Sequence, residues 1–207
     1  VDDSTWGEPV NMGEKVNTQA WESHPTLSRT EDTVYFSSNR LGGFGGADIY
    51  YTYRDEDGEW VEPNNMGPVI NTLYDEYSPF YHPAYDVFYF SSNGHIINFG
   101  PKRQDYSNDL RTFDIYKSHL YNGQWTEPMN IGPLVNTGVD ENYFTIDSES
   151  AKIYYAHSDT DDVKNLDLYS FPVPMEARPD AVTRFEGRLI DTSTGLPIKN
   201  GMISVID

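Results

Sequence analysis

The chain has 207 residues, with 33 acidic and 14 basic side chains, so its formal net charge at pH 7 is −19. So acidic a surface repels nucleic-acid phosphates and anionic lipid headgroups, which excludes both as predicted partners. The chain has no cysteine, which excludes disulfides and thiolate metal sites, and no apolar run approaches the roughly 18 residues of a membrane span.

Aromatic residues make up 14% of the chain, and it contains 16 glycines and 13 prolines. This mixture favours strands and turns, and no segment shows sustained apolar periodicity of 3.6 residues. The composition therefore predicts an all-β protein.

Three sequence marks recur in a fixed order along the chain. They are an aromatic run at 34–39, 88–93 and 153–158, an Asp-Ile-Tyr or Asp-Leu-Tyr run at 48–50, 114–116 and 167–169, and a Trp followed by Glu-Pro at 6–9, 60–63 and 125–128. The aromatic run and the Trp mark give the same intervals, 54 residues from the first copy to the second and 65 from the second to the third. Agreement of this kind indicates an internal structural repeat.

Each repeat contains four strand-like runs. The first follows a repeated glutamate, the second is the aromatic run, the third begins at the repeated aspartate, and the fourth carries the tryptophan. Asp57-Gly58 and Asn122-Gly123 join the third run to the fourth and favour the positive φ angles of tight hairpins. Four short antiparallel strands in about 50 residues are typical of a β-propeller blade. We predict three visible four-stranded blades within residues 1–176, as part of a larger ring.

The two ends of the chain differ from the repeats. The Trp6–Pro9 segment matches the last strand of a blade. Either further blades precede it, or it completes the third blade, which lacks its own Trp strand. We favour the first alternative. Residues 177–182 are predicted to be a linker, and 183–207 to be the first hairpin of a β-sandwich. Because a lone hairpin is marginal in water, we expect this domain to continue beyond Asp207.

The longer interval between the second and third copies comes from an insertion of 12 residues between His95 and Thr112. A basic and aromatic loop on so acidic a chain is a candidate recognition element, because loops on rigid scaffolds often carry function. The alternative is a decorative loop without a partner. The candidate partner-binding residues of this loop are Phe99, Lys102, Arg103, Tyr106 and Arg111.

Three glutamates stand at equivalent positions, each preceded by an Asn-Thr pair: Glu22, Glu76 and Glu141, after Asn17-Thr18, Asn71-Thr72 and Asn136-Thr137. If the glutamates face a central channel, they form an acidic mouth that could hold a cation or a basic side chain of a partner. The alternative is that each one hydrogen-bonds the backbone within its own blade. The repeated aspartates are interpreted as architectural: Asp48, Asp114 and Asp167.

No catalytic residue, metal site or cofactor is predicted. The glycine-rich loop at 42–46 lacks a following Gly-Lys-Ser/Thr and leads into a strand, so we interpret it as a strand connection. The five histidines occupy no equivalent repeat positions and show no metal-ligand spacing. We therefore expect a protein that is not an enzyme.

The run at 35–50, with the following Trp-x-Glu-Pro-x-Asn-x-Gly and Asn-Thr, closely resembles the TolB-like (WD-like) propeller repeat, in the version found in OmpA-family cell-envelope proteins. The resemblance covers about residues 6–171. The third copy departs from it, because Ala156-His157 replaces Ser-Ser. The pattern from Gly187 to Gly201 resembles the opening of a carboxypeptidase-regulatory-like domain.

This resemblance implies a non-catalytic protein-interaction scaffold in the periplasm, associated with the outer membrane. The implied parent is a larger OmpA-like protein that binds peptidoglycan through a domain outside this chain. Because some proteins of that layout act in type IX secretion, envelope or secretion-system proteins are the expected partners.

Two other functional classes stay open. One is a carbohydrate-binding or polysaccharide-lyase-type propeller, which exposed aromatic residues on the central funnel would favour and aromatic residues buried between blades would oppose. The other is a propeller accessory domain of a serine peptidase, whose nucleophile would lie in a separate hydrolase domain.

Overall fold

The computed structural model describes residues 7–95, 112–137, 140–157, 166–179, 190–191 and 194, and the backbone of 103–105 and 108–110. These residues form antiparallel β-sheets and one short 3-10 turn, which confirms the all-β prediction. Within these ranges no helix has the length and apolar character needed to cross a membrane.

The first sheet is a four-stranded meander, as predicted for a blade, but its fourth strand lies after Trp60, which was predicted to be part of it and forms only an isolated bridge with Arg54. Its strands are β1 (Glu22–Leu27), β2 (Thr33–Ser38), β3 (Asp48–Tyr53) and β4 (Asn64–Asn65). Each strand pairs antiparallel with the next along the chain. After β3, Gly58 supplies a positive φ of 80° at the predicted turn.

The second sheet repeats this order, with its fourth strand in two pieces. Its strands are β5 (Glu76–Tyr81), β6 (Val87–Ser92), β9 (Asp114–Tyr121), β10 (Gln124–Trp125) and β11 (Met129–Asn130), and the last two both pair with β9. Asn122 and Gly123 have φ angles of 50° and 76°, which confirms the predicted hairpin turn. A separate hairpin lies between β6 and β9, where the insertion was expected: β7 (Arg103–Asp105) and β8 (Asn108–Leu110).

The third sheet has three strands, β12 (Asn142–Ile146), β13 (Lys152–His157) and β14 (Asp167–Pro172). Among the described residues, β14 has only β13 as a strand neighbour. The following turn, Met175–Ala177, packs against the second sheet, since the Tyr89 hydroxyl donates a hydrogen bond to the Ala177 carbonyl at 2.9 Å. Ala177, the first residue of the predicted 177–182 linker, is thus part of the core. The hairpin predicted at 183–207 lies almost entirely outside the described residues.

Aromatic side chains fill the space between neighbouring sheets. The ring of Tyr35 in β2 lies 5.1 Å from that of Phe88 in β6 and 5.7 Å from that of Tyr81. The next residue of β6, Tyr89, faces the other way, with its ring 6.5 Å from Phe144 of β12. Successive residues of one strand therefore pack against different sheets, as the alternation of a β-strand requires.

The sheets meet through their first strands, β1 against β5 and β5 against β12. The backbone N–H of Tyr81 donates to the hydroxyl of Thr26 at 3.1 Å, and that of Tyr143 donates to the hydroxyl of Ser78 at 3.1 Å. The three first strands thus lie side by side along one line of the molecule.

Candidate binding site at the first strands

The repeated glutamates are held inside their own sheets. The Glu76 carboxylate accepts hydrogen bonds from the Thr72 backbone N–H at 2.8 Å, the Thr72 hydroxyl at 2.7 Å and the Ser92 hydroxyl at 2.7 Å. Its exposed fraction is 0%. The equivalent threonine hydrogen bonds run from Thr18 to Glu22 and from Thr137 to Glu141.

This arrangement matches the alternative of hydrogen bonding within a blade. The Glu76 carboxylate is fully buried and accepts three hydrogen bonds, so it presents no surface to a partner. Glu141 is only 1% exposed. The hypothesis of an acidic mouth therefore gains no support from these two glutamates. Glu22 is less buried and forms an ion pair with Arg40 at 3.4 Å.

Glu141 differs from the other two glutamates. In the second sheet, Glu76 lies opposite Ser92, the second serine of the aromatic run. The corresponding residue of the third copy, opposite Glu141, is His157 instead of a serine. Glu141 Oε2 is buried and has no hydrogen-bond partner among the described residues. Burial raises the pKa of Glu141 to about 8 and that of Glu76 to about 7.

We expect the protein to lose stability as the pH rises from about 5 to about 8. In this window folded Glu141 still holds a proton that the unfolded chain has released, so the free energy of unfolding falls with pH. Glu141→Gln keeps the acceptor for Thr137 and removes this titration. The variant should be more stable than the wild type at pH 8, by on the order of 2 kcal/mol.

Urea denaturation at several pH values checks this expectation. The difference between the two proteins should shrink toward pH 5, because the unfolded wild-type chain then begins to regain the proton at position 141 that the folded protein holds. A difference that does not change with pH would contradict the titration of Glu141.

The first two repeated aspartates are architectural, as interpreted from the sequence. Asp48 accepts hydrogen bonds from the backbone N–H groups of Phe44 and Gly45 and, at 2.8 Å, from the Asn65 amide. The glycine-rich loop thus binds a carboxylate of its own chain. Asp114 accepts the equivalent amide hydrogen bond from Asn130, also at 2.8 Å.

The asparagines of the second and third Asn-Thr pairs, Asn71 and Asn136, bind the third strand of the preceding sheet. Asn71 accepts a hydrogen bond from the Ile49 N–H at 2.8 Å and donates to the Ile49 carbonyl at 2.9 Å and to Asn65 Oδ1 at 2.8 Å. Asn136 repeats these contacts on Ile115. We call this arrangement the asparagine clasp.

Of the candidate residues in the insertion, four lie outside the described residues: Phe99, Lys102, Tyr106 and Arg111. Arg103 begins β7, of which only the backbone is described. Their partner-binding role stays a prediction.

The first strand of every sheet carries a β-bulge after the repeated glutamate. Each bulge holds a non-glycine residue in the left-handed region: His24 (φ 54°), Ser78 (φ 50°) and Tyr143 (φ 53°). This conformation is disfavoured for residues with a Cβ, and such outliers cluster at functional sites. The bulges therefore mark the first strands as the place to seek a site.

A cavity of about 210 Å³ lies where the bulges meet. Its lining residues, which we call the first-strand cluster, are Trp21, His24, Tyr77, Ser78, Asn142 and Tyr143. The Trp21 ring meets that of Tyr77 edge-on at 5.5 Å, and the rings of His24 and Tyr143 lie 5.0 Å apart. A second cavity, of about 240 Å³, shares the three bulge residues. The repeated glutamates do not line either cavity.

Two polar atoms of the cluster, His24 Nδ1 and Asn142 Oδ1, are buried without a hydrogen-bond partner among the described residues. Burial lowers the pKa of His24, so its ring is neutral near pH 7. An unpaired buried polar atom costs about 1–3 kcal/mol, which a ligand with hydrogen-bond donors would recover. Trp21 and Tyr143 are 41% and 55% exposed, so the cluster is accessible.

The residues of the first-strand cluster are not repeated from copy to copy, so the repeat pattern does not predict them. The position after the glutamate is Ser, Tyr and Asn in the three copies, and the next position is His, Ser and Tyr. Variable residues at fixed positions of a repeated scaffold are the signal that could have revealed it.

No protein-family model matches the sequence, and no curated protein matches it significantly. Among solved structures, a putative TolB from Agrobacterium tumefaciens is similar to this chain, with a TM-score of 0.50 and 13% sequence identity. The match covers 80% of this chain and 48% of the TolB chain. TolB from Acinetobacter baumannii matches with a TM-score of 0.43 and 17% sequence identity. This match covers 72% of this chain and 29% of the TolB chain. The chain thus spans less than half the length of these two structures. At this identity the likeness concerns the fold alone: the three sheets resemble part of a TolB-like β-propeller.

Proposed function

We propose that this chain is a non-catalytic protein-interaction module of the bacterial cell envelope, which contacts its partner through the first-strand cluster. The observation that carries this proposal is an accessible aromatic cavity with two unpaired buried polar atoms, built on strands that three packed sheets hold in place. Partly exposed aromatic residues around desolvated polar groups are typical of the energetic centre of a protein interface.

The cellular setting is proposed from the sequence resemblance and agrees with the TolB-like fold. We propose a periplasmic location associated with the outer membrane, within a larger OmpA-like protein whose peptidoglycan-binding domain lies outside this chain. Residues 183–207 would open a carboxypeptidase-regulatory-like domain. Envelope proteins, including those of type IX secretion, are the proposed partners.

Site-specific photo-cross-linking in intact cells tests the proposal. A photoreactive phenylalanine analogue replaces Tyr143 in the full-length protein, and the captured partner is identified by mass spectrometry. The matched control places the analogue at Tyr121, which is 71% exposed at the far end of β9 and does not line the cavity. An envelope protein captured from position 143 but not from 121 supports the proposal, and equal capture at both positions contradicts it.

A third position, Tyr106, tests the insertion. If its basic and aromatic residues contact the same partner, position 106 should capture the protein that position 143 captures. Capture of no protein at 106 would leave the contact to the first-strand cluster alone.

Carbohydrate binding is the second candidate, because Trp21 and Tyr143 expose aromatic surface at the cavity. Exposed rings can stack on sugars. Retention of the protein on a polysaccharide matrix, lost in Trp21→Ala, together with no protein capture at position 143, would favour this function over the first.

A further inference from the structure

The first-strand cluster combines two unpartnered buried polar atoms with a set of aromatic rings. We propose that it binds a primary ammonium group of a polypeptide, with His24 Nδ1 and Asn142 Oδ1 accepting N–H hydrogen bonds and the surrounding rings facing the positive charge. This inference names the ligand class of the proposed site and therefore rests on the proposed function.

The two unpaired atoms call for a donor. Asn142 Oδ1 is an acceptor, and the Nδ1 of a neutral His24 accepts when the ring proton lies on Nε2. A carboxylate or phosphate offers no donor to either atom. An ammonium group has three donors, which is enough for both atoms.

The aromatic rings favour a positive charge. Trp21, Tyr77 and Tyr143 join His24 around the cavity, with neighbouring ring centroids 5.0 to 6.4 Å apart. A cation near such rings is stabilised by about 0.5–2 kcal/mol, with tryptophan the most effective. Among the described residues, His24 is the one basic residue that lines the cavity, and the chain carries a net charge of −19. The electrostatic field therefore favours a cation and opposes an anion.

The size of the cavity fits a single side chain. Its volume of about 210 Å³ is below the roughly 300–1,000 Å³ of pockets that hold drug-sized ligands. A lysine side chain is slender and ends in the required group, and an N-terminal ammonium carries the same chemistry. These are the two sources of the ligand that an experiment has to separate.

The test is a titration of the isotope-labelled protein with short peptides, followed by amide and indole NMR shifts. Four probes are compared: a capped peptide with one lysine, its Nε-acetylated form, its Nε-trimethylated form, and a lysine-free peptide with a free N-terminus. We expect the lysine peptide to shift signals of the cluster and to bind about tenfold more tightly than the acetylated form. The trimethylated form should also bind more weakly, since it keeps the charge but has no N–H donor.

Two variants isolate the hydrogen bonds. Asn142→Leu and His24→Phe keep the approximate size of the side chain and remove the acceptor, and each should weaken lysine-peptide binding several-fold. Tyr121→Leu, outside the cluster, should bind as the wild type does. Unchanged amide spectra away from β1, β5 and β12 would show that each variant is folded.

The outcomes separate the two proposals. Equal binding of the lysine peptide and its acetylated form, or shifts that avoid the cluster, would overturn the ammonium assignment even if position 143 captures an envelope protein in cells. Binding of the ammonium probes without any capture in cells would uphold this ligand class and overturn the proposed cellular function. If the free N-terminus binds more tightly than lysine, the source is a chain terminus.

Discussion

Asn71→Ala should lower the free energy of unfolding by about 2–3 kcal/mol, among the largest effects of any single substitution considered. Asn71 is buried and holds Ile49 of β3 through its asparagine clasp. Without it the Ile49 carbonyl still accepts from the Met66 N–H at 3.0 Å, but the buried Ile49 N–H loses its acceptor. An unsatisfied buried donor costs about 1–3 kcal/mol, and the vacated volume adds to that cost. Urea denaturation followed by tryptophan fluorescence measures the change.

The chain contains its own matched controls for this substitution. Asn136→Ala should cost about as much, since Asn136 makes the same contacts with Ile115. Asn17→Ala should cost well under 1 kcal/mol, because Asn17 is exposed and its amide donates to Asn11 at 3.1 Å instead of holding a buried strand. Similar losses at positions 17 and 71 would refute the clasp as a source of stability.

Gly45→Ala should also destabilise the fold by about 2–3 kcal/mol. A Cβ at this position would lie 1.7 Å from the carbonyl oxygen of Tyr74, which is backbone and cannot rotate away. The loop would have to withdraw, which strains the 2.9 Å hydrogen bond from the Gly46 N–H to the same oxygen. Thermal denaturation of the variant and the wild type measures the loss.

Two other glycines provide a graded comparison. Gly46→Ala should cost less than Gly45→Ala, since its Cβ would meet the Asp75 carboxylate, which is a side chain and can shift. Gly7→Ala should have no measurable effect, because no described residue lies within 4 Å of its Cβ. A Gly45→Ala protein as stable as Gly7→Ala would show that the loop does not need this close approach.

Much of the fold follows from the repeated residues. The strand order of the first two sheets and the Asn122-Gly123 turn were predictable because hydrogen-bonded meanders impose alternation and turn chemistry on the sequence. The packing of Ala177 was not predictable. Prolines at 172, 174 and 179 indicate an extended chain, whereas the contact that buries Ala177 comes from Tyr89, which is 88 residues away.

The candidate site was harder to predict than the fold. Repetition drew attention to the glutamates, each of which accepts a hydrogen bond from the threonine four residues before it. His24 and Asn142 come from different sheets and approach one another only after β1, β5 and β12 are side by side. The spacing of His24 and Asn142 along the sequence does not predict that they line the same cavity, which follows only from the three-dimensional arrangement of the sheets.

The asparagine clasp has a consequence for how the sheets unfold. Asn71 binds Ile49 of the first sheet, while its neighbour Thr72 binds Glu76 of the second, so two adjacent residues hold two different sheets. A sheet therefore cannot open at its third strand without loosening the segment that leads into the next sheet. Amide hydrogen exchange should reveal the first two sheets as one cooperative unit with a shared opening energy, instead of as independent blades.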